Sequence, residues 1–331
     1  MCSSDLLRFG AWPGTHAHLY EDGWLDRFFS LLEAQASWID LDLPSAHLGR
    51  LSPWGRAYIP SMGYREMASW TLPPELEPGF SRAEGLLPPD LRPFLGGGFI
   101  RRFLARYPEA NHLHKRMLSA SRRLAEATGA RPVGEPPDRD LVEKARHALW
   151  RSQANEPLWH GIFGGLYLAN LRDAGYRALI ETDELVDRMR HGDRPFSEAR
   201  IEDLDLDGRP EADVRTKDMA GVVSWQGGSL VEWDIRAWKR NILDTMARHP
   251  EAYHAPLVKA EARTAAHAHG GRRGAQDLVL AHEASAGPMP RDWHRRAACL
   301  DHLLHPDTTP EQWADASWGE QGDFVVEPFE L

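Results

Sequence analysis

Three changes of texture along the 331 residues predict an α+β chain of more than one part. A helix-like and then a strand-like segment stand in the first 75 residues, amphipathic helices fill the middle, and strands marked by turn signals follow about residue 198. At roughly 150 residues per domain the length predicts about two domains, with ample chain to bury a core without disulfides.

The elements follow in order. Residues 23–36 (GWLDRFFSLLEAQA) place Trp24, Leu25, Phe28, Leu31 and Leu32 at helical spacing, which predicts an amphipathic helix. Residues 38–43 (WIDLDL) alternate apolar and acidic side chains, which predicts a strand. One such unit closes neither sheet nor barrel, so the region is an appendage or a piece of a larger layer. Residues 75–100, preceded by Pro73-Pro74, carry Pro78, Pro88-Pro89, Pro93 and Gly96-Gly97-Gly98 and predict a linker. Helices are expected over 99–106, 113–128, 139–150 and 163–190, with breaks at Pro108 and the Pro/Gly cluster 132–137. Beyond residue 198, Asp203–Gly208 (DLDLDG) ends in an Asp-Gly turn signal, and 222–225 and 229–235 predict strands around Gly227-Gly228. Short helices are expected at 238–248 and 293–304, a flexible loop at 264–276, and a strand without a partner at 323–331.

Charge and composition exclude several classes. Thirty-nine basic against 49 acidic residues give a net charge of −10, with no Lys/Arg run longer than a pair, which argues against nucleic acid. The only cysteines, Cys2 and Cys299, form no CxxC, so neither a disulfide framework nor a zinc knuckle is read. No apolar run reaches the ~20 residues of a membrane span, and the N-terminus lacks a signal-peptide pattern, so a cytoplasmic setting is expected. Thirteen tryptophans leave room for a carbohydrate site, because indole faces stack on sugar rings as well as in cores.

Most local motifs have a plain reading. Asp203, Asp205, Asp207 and Gly208 match the first half of a calcium loop, but the twelfth position, which should be Glu, is Val214, and a hairpin turn is preferred. The His-x-His pairs His16/His18, His112/His114 and His267/His269 lack a distinctive carboxylate partner, so no metal ligands are assigned. Phosphate-loop, dinucleotide and serine-hydrolase motifs are absent. The informative segment is 151–168 (RSQANEPLWHGIFGGLYL). There Gln153, Asn155, Glu156, Trp159 and His160 gather at a glycine-marked helix break, a set suited equally to gripping a sugar and to capping a helix junction.

That segment resembles the AQxNDxYWHGxFGGxYLPHLR signature of glycoside hydrolase family 57, in its 4-α-glucanotransferase and α-amylase branch. Similar stretches stand in the same order around it: FGAWPGT at 9–15, YEDGWLDRFF at 20–29, YIPSMGYREMASWTLPP at 58–74 and GGFIRRFLARYPEANHLHKRMLS at 97–119, then GGSLVEWD at 227–234, NILDTMARHPEAYH at 241–254 and WHRRAACLDHLL at 293–304. The resemblance implies the end of a (β/α)7 catalytic barrel over 1–75, a helical central domain over 76–198 and the first part of a C-terminal β-sandwich over 199–331. It implies cleavage of α-1,4-glucan bonds by a retaining, two-carboxylate mechanism, with transfer to another glucan or to water and no metal or cofactor. The expected partners are α-1,4-glucans or maltooligosaccharides, and a homodimer is admitted.

Carried over position by position, Trp12, Gln153, Glu156, Trp159 and His160 are the expected substrate-binding residues, with Trp159 stacking on a glucose ring. Glu156 stands where the family usually has Asp, and Ala169-Asn170 replace its Pro-His. No catalytic residue is assigned. Asp5 falls in register with the family's acid/base Asp, but SSDLLRFG departs from DDGEKFG. MCSSDL is also the translation of GTG TGC TCT TCC GAT CTN, the end of a sequencing adapter, so Met1–Leu6 is read as library sequence. The nucleophile of the family has no counterpart here. The chain alone is therefore expected to be inactive, and a freestanding, non-catalytic glucan-binding or scaffold protein is the alternative.

Overall fold

The computed structural model describes residues 15–58, 65–129, 138–160, 164–252, 254 and 290–329. Asp5, Trp12, the segment Met1–Leu6 and the loop expected at 264–276 lie outside the described residues. The chain divides into two units, Met1–Met62 and Gly63–Leu331.

In the first unit a short π-helical turn, Ala17–Glu21, precedes α1, Trp24–Ala34, the helix expected from the apolar spacing. A second helix, α2, spans Pro44–Arg50. The strand expected at 38–43 is absent. Trp38, Leu41 and Leu43 are about 70% exposed, and among the described residues no neighbouring strand accepts their backbone groups. Alternation without a ladder partner does not make a strand.

The second unit opens with α3, Arg65–Trp70, and α4, Glu77–Leu86. The expected linker thus contains a helix. Pro78 sits in its first turn, where a missing N–H costs nothing and the fixed φ favours helix. Four helices then follow much as the periodicity predicts: α5, Ile100–Arg106; α6, Pro108–Gly129; α7, Arg139–Ser152; and α8, Ala169–His191. Pro108 both ends α5 and opens α6. Asp138 caps α7 by accepting the N–H of Asp140. Leu113, Ala120 and Leu124 of α6, Ala145 and Leu149 of α7, and Leu179 and Val186 of α8 form the apolar core.

An antiparallel meander of five strands follows: β1, Ser197–Glu202; β2, Glu211–Thr216; β3, Met219–Val223; β4, Leu230–Ile235; and β5, Arg240–Asn241. Gly227 and Gly228, at φ +64° and +56°, make the β3–β4 turn. The helix expected at 238–248 is replaced by a 3-10 turn at Arg236–Trp238, a left-handed Lys239 and β5. The Asn241 carboxamide oxygen accepts the N–H groups of Trp233 and Leu243 at 3.1 and 2.9 Å, holding this stretch to β4. Residues 293–304 are not helical either. They bridge Leu230 through Ala298 and Glu320 through Leu304, and Cys299 has φ +63°. The end of the chain turns instead of extending, but it is not left unpaired: Pro328 bridges Gln226, and the Phe329 N–H donates to the Trp225 carbonyl at 2.8 Å. A last helix, α9, Pro310–Asp315, is opened by a Thr309/Gln312 capping box.

The sheet face turned toward α6 and α8 is charged. Glu211, Asp213 and Arg215 of β2 and Glu232 and Asp234 of β4 are at most 2% exposed. Arg116 of α6 donates through Nε to Glu232 (2.8 Å) and through Nη2 to Asp183 of α8 (3.0 Å). Arg215 pairs with Asp213 and Asp183 at 2.7 and 2.6 Å, Arg236 with Asp187 at 2.6 Å, and Arg123 with both Asp183 and Asp187. Burial and then the Glu232 charge push the Asp234 carboxyl well up. Burial also lowers His112, leaving a neutral imidazole against Glu232 at 2.6 Å. Among the described residues no helix is long and apolar enough to cross a membrane.

Candidate functional site

The segment 152–168 changes direction between α7 and α8. Gln153 is the C-cap of α7, and its N–H donates to the Leu149 and Trp150 carbonyls at 3.2 Å. A 3-10 turn at Glu156–Leu158 buries Pro157 and Leu158 and leaves Glu156 half-buried. Residues 161–163 lie outside the described residues, and a second 3-10 turn, Gly165–Tyr167, leads into α8. There the Leu166 N–H donates to the Trp159 carbonyl at 2.9 Å. This close return needs Gly165. At its φ of +42° a Cβ would sit 2.2 Å from the Trp159 carbonyl oxygen.

Trp159 is half-buried and stacks on Trp70 at the end of α3, with ring centroids 5.6 Å apart and planes at 26°. Trp70 is held there by backbone contact. Gly98 N donates to the Ala68 carbonyl at 2.9 Å, and a Cβ on Gly98 would lie 1.7 Å from Thr71 Oγ1. Arg106 of α5 adds a clamp, donating to the Trp70 and Leu72 carbonyls at 3.3 and 2.8 Å. Its other Nη reaches the Pro250 carbonyl (2.7 Å) and Glu251 Oε2 (2.8 Å).

His160 turns inward and is 4% exposed. Its Nε2 lies 2.7 Å from the Tyr107 hydroxyl and 3.2 Å from Glu251 Oε1. Tyr107 and Tyr167 both donate hydroxyl hydrogens to Glu251 Oε1 at 2.5 Å. A hydroxyl has one hydrogen, so the His160 Nε2–H donates to Tyr107. Burial alone would raise the Glu251 carboxyl. The hydrogen bond and charge of His160, then Arg106 and Tyr107, outweigh it and bring the carboxyl down to about 2. Beside this group, Glu109 accepts from His249 (3.1 Å) and from the Ala247 N–H (3.0 Å).

Of the five expected binding residues, the structure therefore gathers Trp159, His160 and Glu156 around one helix junction and puts Gln153 at its exposed rim. Trp12 lies outside the described residues. Sequence reasoning passed over Trp70, Arg106, Tyr107, Tyr167 and Glu251. Glu251 was the findable one, since it stands between His249 and His254 in a stretch already set apart for its resemblance. Each Glu251 oxygen already accepts charged or hydroxyl donors, so this carboxylate organises its neighbours.

Residues 98–186 match the family model described as α-amylase/4-α-glucanotransferase, middle domain, and residues 203–331 match α-amylase/4-α-glucanotransferase, C-terminal. The chain is similar to α-amylase 1 of Dictyoglomus thermophilum, 33% identical over 97% of this chain and 45% of that protein. It is 32% identical to a 4-α-glucanotransferase of Thermococcus kodakarensis, over 97% of this chain and 46% of that one. The crystal structure of 4-α-glucanotransferase from Thermococcus litoralis superposes with a TM-score of 0.66 at 29% identity, over 98% of this chain and 44% of that chain. The chain thus spans a little under half the length of the curated relatives it matches.

Proposed function

Because this chain belongs to the α-amylase/4-α-glucanotransferase family, we propose that it supplies the central and C-terminal parts of an amylolytic enzyme. The whole protein would cleave α-1,4-glucan bonds with retention, using a carboxylate nucleophile and a carboxylic acid/base, and pass the glycosyl unit to a glucan or to water. On this reading residues 1–75 belong to the end of a (β/α)7 barrel, and the meander opens a β-sandwich. The helices between them form one wall of the glucan cleft.

The observation that carries the proposal is the Trp159–Trp70 pair, held above a buried Tyr107–Glu251–His160 network. A half-buried indole whose angle is fixed by a neighbouring ring costs little entropy to present to a sugar face. Gln153 and Glu156 stand at the same junction with amide and carboxylate groups suited to sugar hydroxyls. His160 would act through Tyr107 and Glu251, positioning the Trp159 backbone from beneath. Carbohydrate would thus meet Trp159, Glu156 and Gln153, while His160 sets where they stand.

Taken alone, the chain is proposed to bind maltooligosaccharide without turning it over, since a two-carboxylate mechanism needs both groups on one cleft. The test is maltoheptaose titration by calorimetry, beside a disproportionation assay on the same sample. We expect saturable binding, no product, and affinity lowered about tenfold by Trp159→Ala, the ~1.4 kcal/mol of a stacking contact. Wild-type affinity in Trp159→Ala, or no binding by the wild type, would overturn this assignment.

A further inference from the structure

The β1–β2 connection carries a feature that the glucan reading does not use. Asp203, Asp205 and Glu211 each place a carboxylate oxygen within 4.8 Å of the others. Two of these side chains come from the DLDLDG turn, and the third opens β2. Asp203 and Asp205 sit half-buried at the turn, but Glu211 is 2% exposed. Its Oε2 accepts the N–H groups of Leu204 and Asp205 at 2.8 and 3.4 Å, whereas its buried Oε1 has no hydrogen-bond partner among the described residues. No ion pair reaches Glu211, Asp203 or Asp205 among those residues either, although Arg116, Arg123, Arg215 and Arg236 each pair with a carboxylate across the same buried face. A buried carboxylate oxygen facing two further carboxylates, with no donor, is costly unless a cation meets it.

We propose that Asp203, Asp205 and Glu211 form a calcium-binding site at the β1–β2 turn. The donors are all hard oxygens, which suits calcium or magnesium over zinc or copper. Between the first two, a turn whose carboxylates come from a loop and a strand end suits Ca2+, which takes six to eight oxygens in flexible geometry, over Mg2+, which demands near-ideal octahedral geometry. The glutamate sits at the ninth place of the loop, three residues before the twelfth-place Glu of a standard calcium loop. A fourth carboxylate, Asp207, adjoins the site and accepts the Trp225 indole N–H at 3.3 Å. An ion here would tie β1 to β2 at the edge of the charged sheet face. Glucan recognition at Trp159 does not depend on it.

The test uses the full 331-residue chain stripped with EDTA and titrated with CaCl2 by calorimetry, and with Tb3+ by luminescence excited through tryptophan. We expect one Ca2+ per chain and a Tm raised by roughly 5 °C at saturation. Ca2+ should displace sensitised Tb3+ emission. Glu211→Gln and Asp203→Asn should each weaken Ca2+ binding at least about tenfold with the far-UV dichroism unchanged, and Trp225→Phe should keep the affinity but lose most of the emission. No saturable heat below about 10 mM Ca2+, roughly ten times the weak end for such sites, would overturn the proposal. So would wild-type affinity in Glu211→Gln, equal competition by Mg2+, or undiminished emission in Trp225→Phe.

Discussion

Helix α6 packs two unlike faces against two unlike neighbours. One face offers Leu113, Ala120 and Leu124 to α7 and α8 in an ordinary apolar core. The other, one residue out of step, offers His112, Arg116, Ser119 and Arg123, all at most 4% exposed, to α8 and the sheet. The first face gains from leaving water. The second face pays for desolvating its charges and recovers that cost only if each charge finds its partner. Apolar packing can therefore slip and repack, while the ionic face accepts one arrangement of α6, α8, β2 and β4. That difference matters at the candidate site, because Tyr107 precedes α6 and the Trp159 segment enters α8. A fixed pose of these helices fixes both.

The comparison breaks most directly at its centre. Arg116→Ala leaves Glu232 and Asp183 buried without their shared guanidinium and is expected to cost about 3–5 kcal/mol in urea unfolding. The sign with pH follows from the carboxylates. Despite burial, the nearby arginines hold Glu232 and Asp183 well below the ordinary carboxylate range. Their contribution is complete above about pH 4.5 and fades as pH falls toward the folded values. The deficit of Arg116→Ala should therefore shrink in acid. A loss below about 1 kcal/mol at neutral pH would mean that the ionic face is not what positions the sheet.

This half of α6 is also where the sequence misleads. Periodicity finds the helix from Leu113, Ala120 and Leu124, and it finds α5, α7 and most of α8 by the same rule. The stripe of His112, Arg116 and Arg123 looks like a solvated face, because its partners Asp183, Asp187 and Glu232 lie 60 or more residues away. The β2 sequence EADVRT likewise alternates correctly but shows its charged side to the interior. At the site, the family-like segment marks Trp159 and His160. Trp70 and Glu251 lie in the similar stretches 58–74 and 241–254, but nothing local says that they meet it: Trp70 arrives through a Gly98 backbone contact, and Glu251 sits about ninety residues further along the chain. The unmet strand at 38–43 and the unmet helices at 238–248 and 293–304 fail for a related reason. Pairing with distant residues, or its absence, overrode local preference.

Leu179→Ala sharpens the contrast from the apolar side. Leu179 is 1% exposed in the helical core, so its truncation should cost about 2–4 kcal/mol through lost burial and a residual cavity. No titrating group takes part, so this deficit should be the same at pH 7 and pH 4. If it also faded in acid, the two faces would not be energetically separate.

The smallest of the three effects joins the comparison to the site. Glu251 is a buried carboxylate like those of the ionic face, but it is served by Tyr107, Tyr167, His160 and Arg106 in place of an arginine ladder. Its depressed pKa of about 2 means that its contribution is present above the ordinary value of 4.5 and is lost as pH falls from there toward 2. Glu251→Gln keeps the volume and removes the charge, at a cost of about 1.5–3 kcal/mol for charge-assisted hydrogen bonds. Because Gln does not titrate, stability should fall less steeply between pH 4.5 and 2 in the variant than in the wild type. Maltoheptaose binding separates two ways of building the site. If Glu251 serves only to hold the fold, affinity at a temperature where the variant is folded should match the wild type. If it sets the angle of Trp159 through Tyr107 and His160, affinity should drop several-fold while stability is still ample, and that is the outcome this geometry favours.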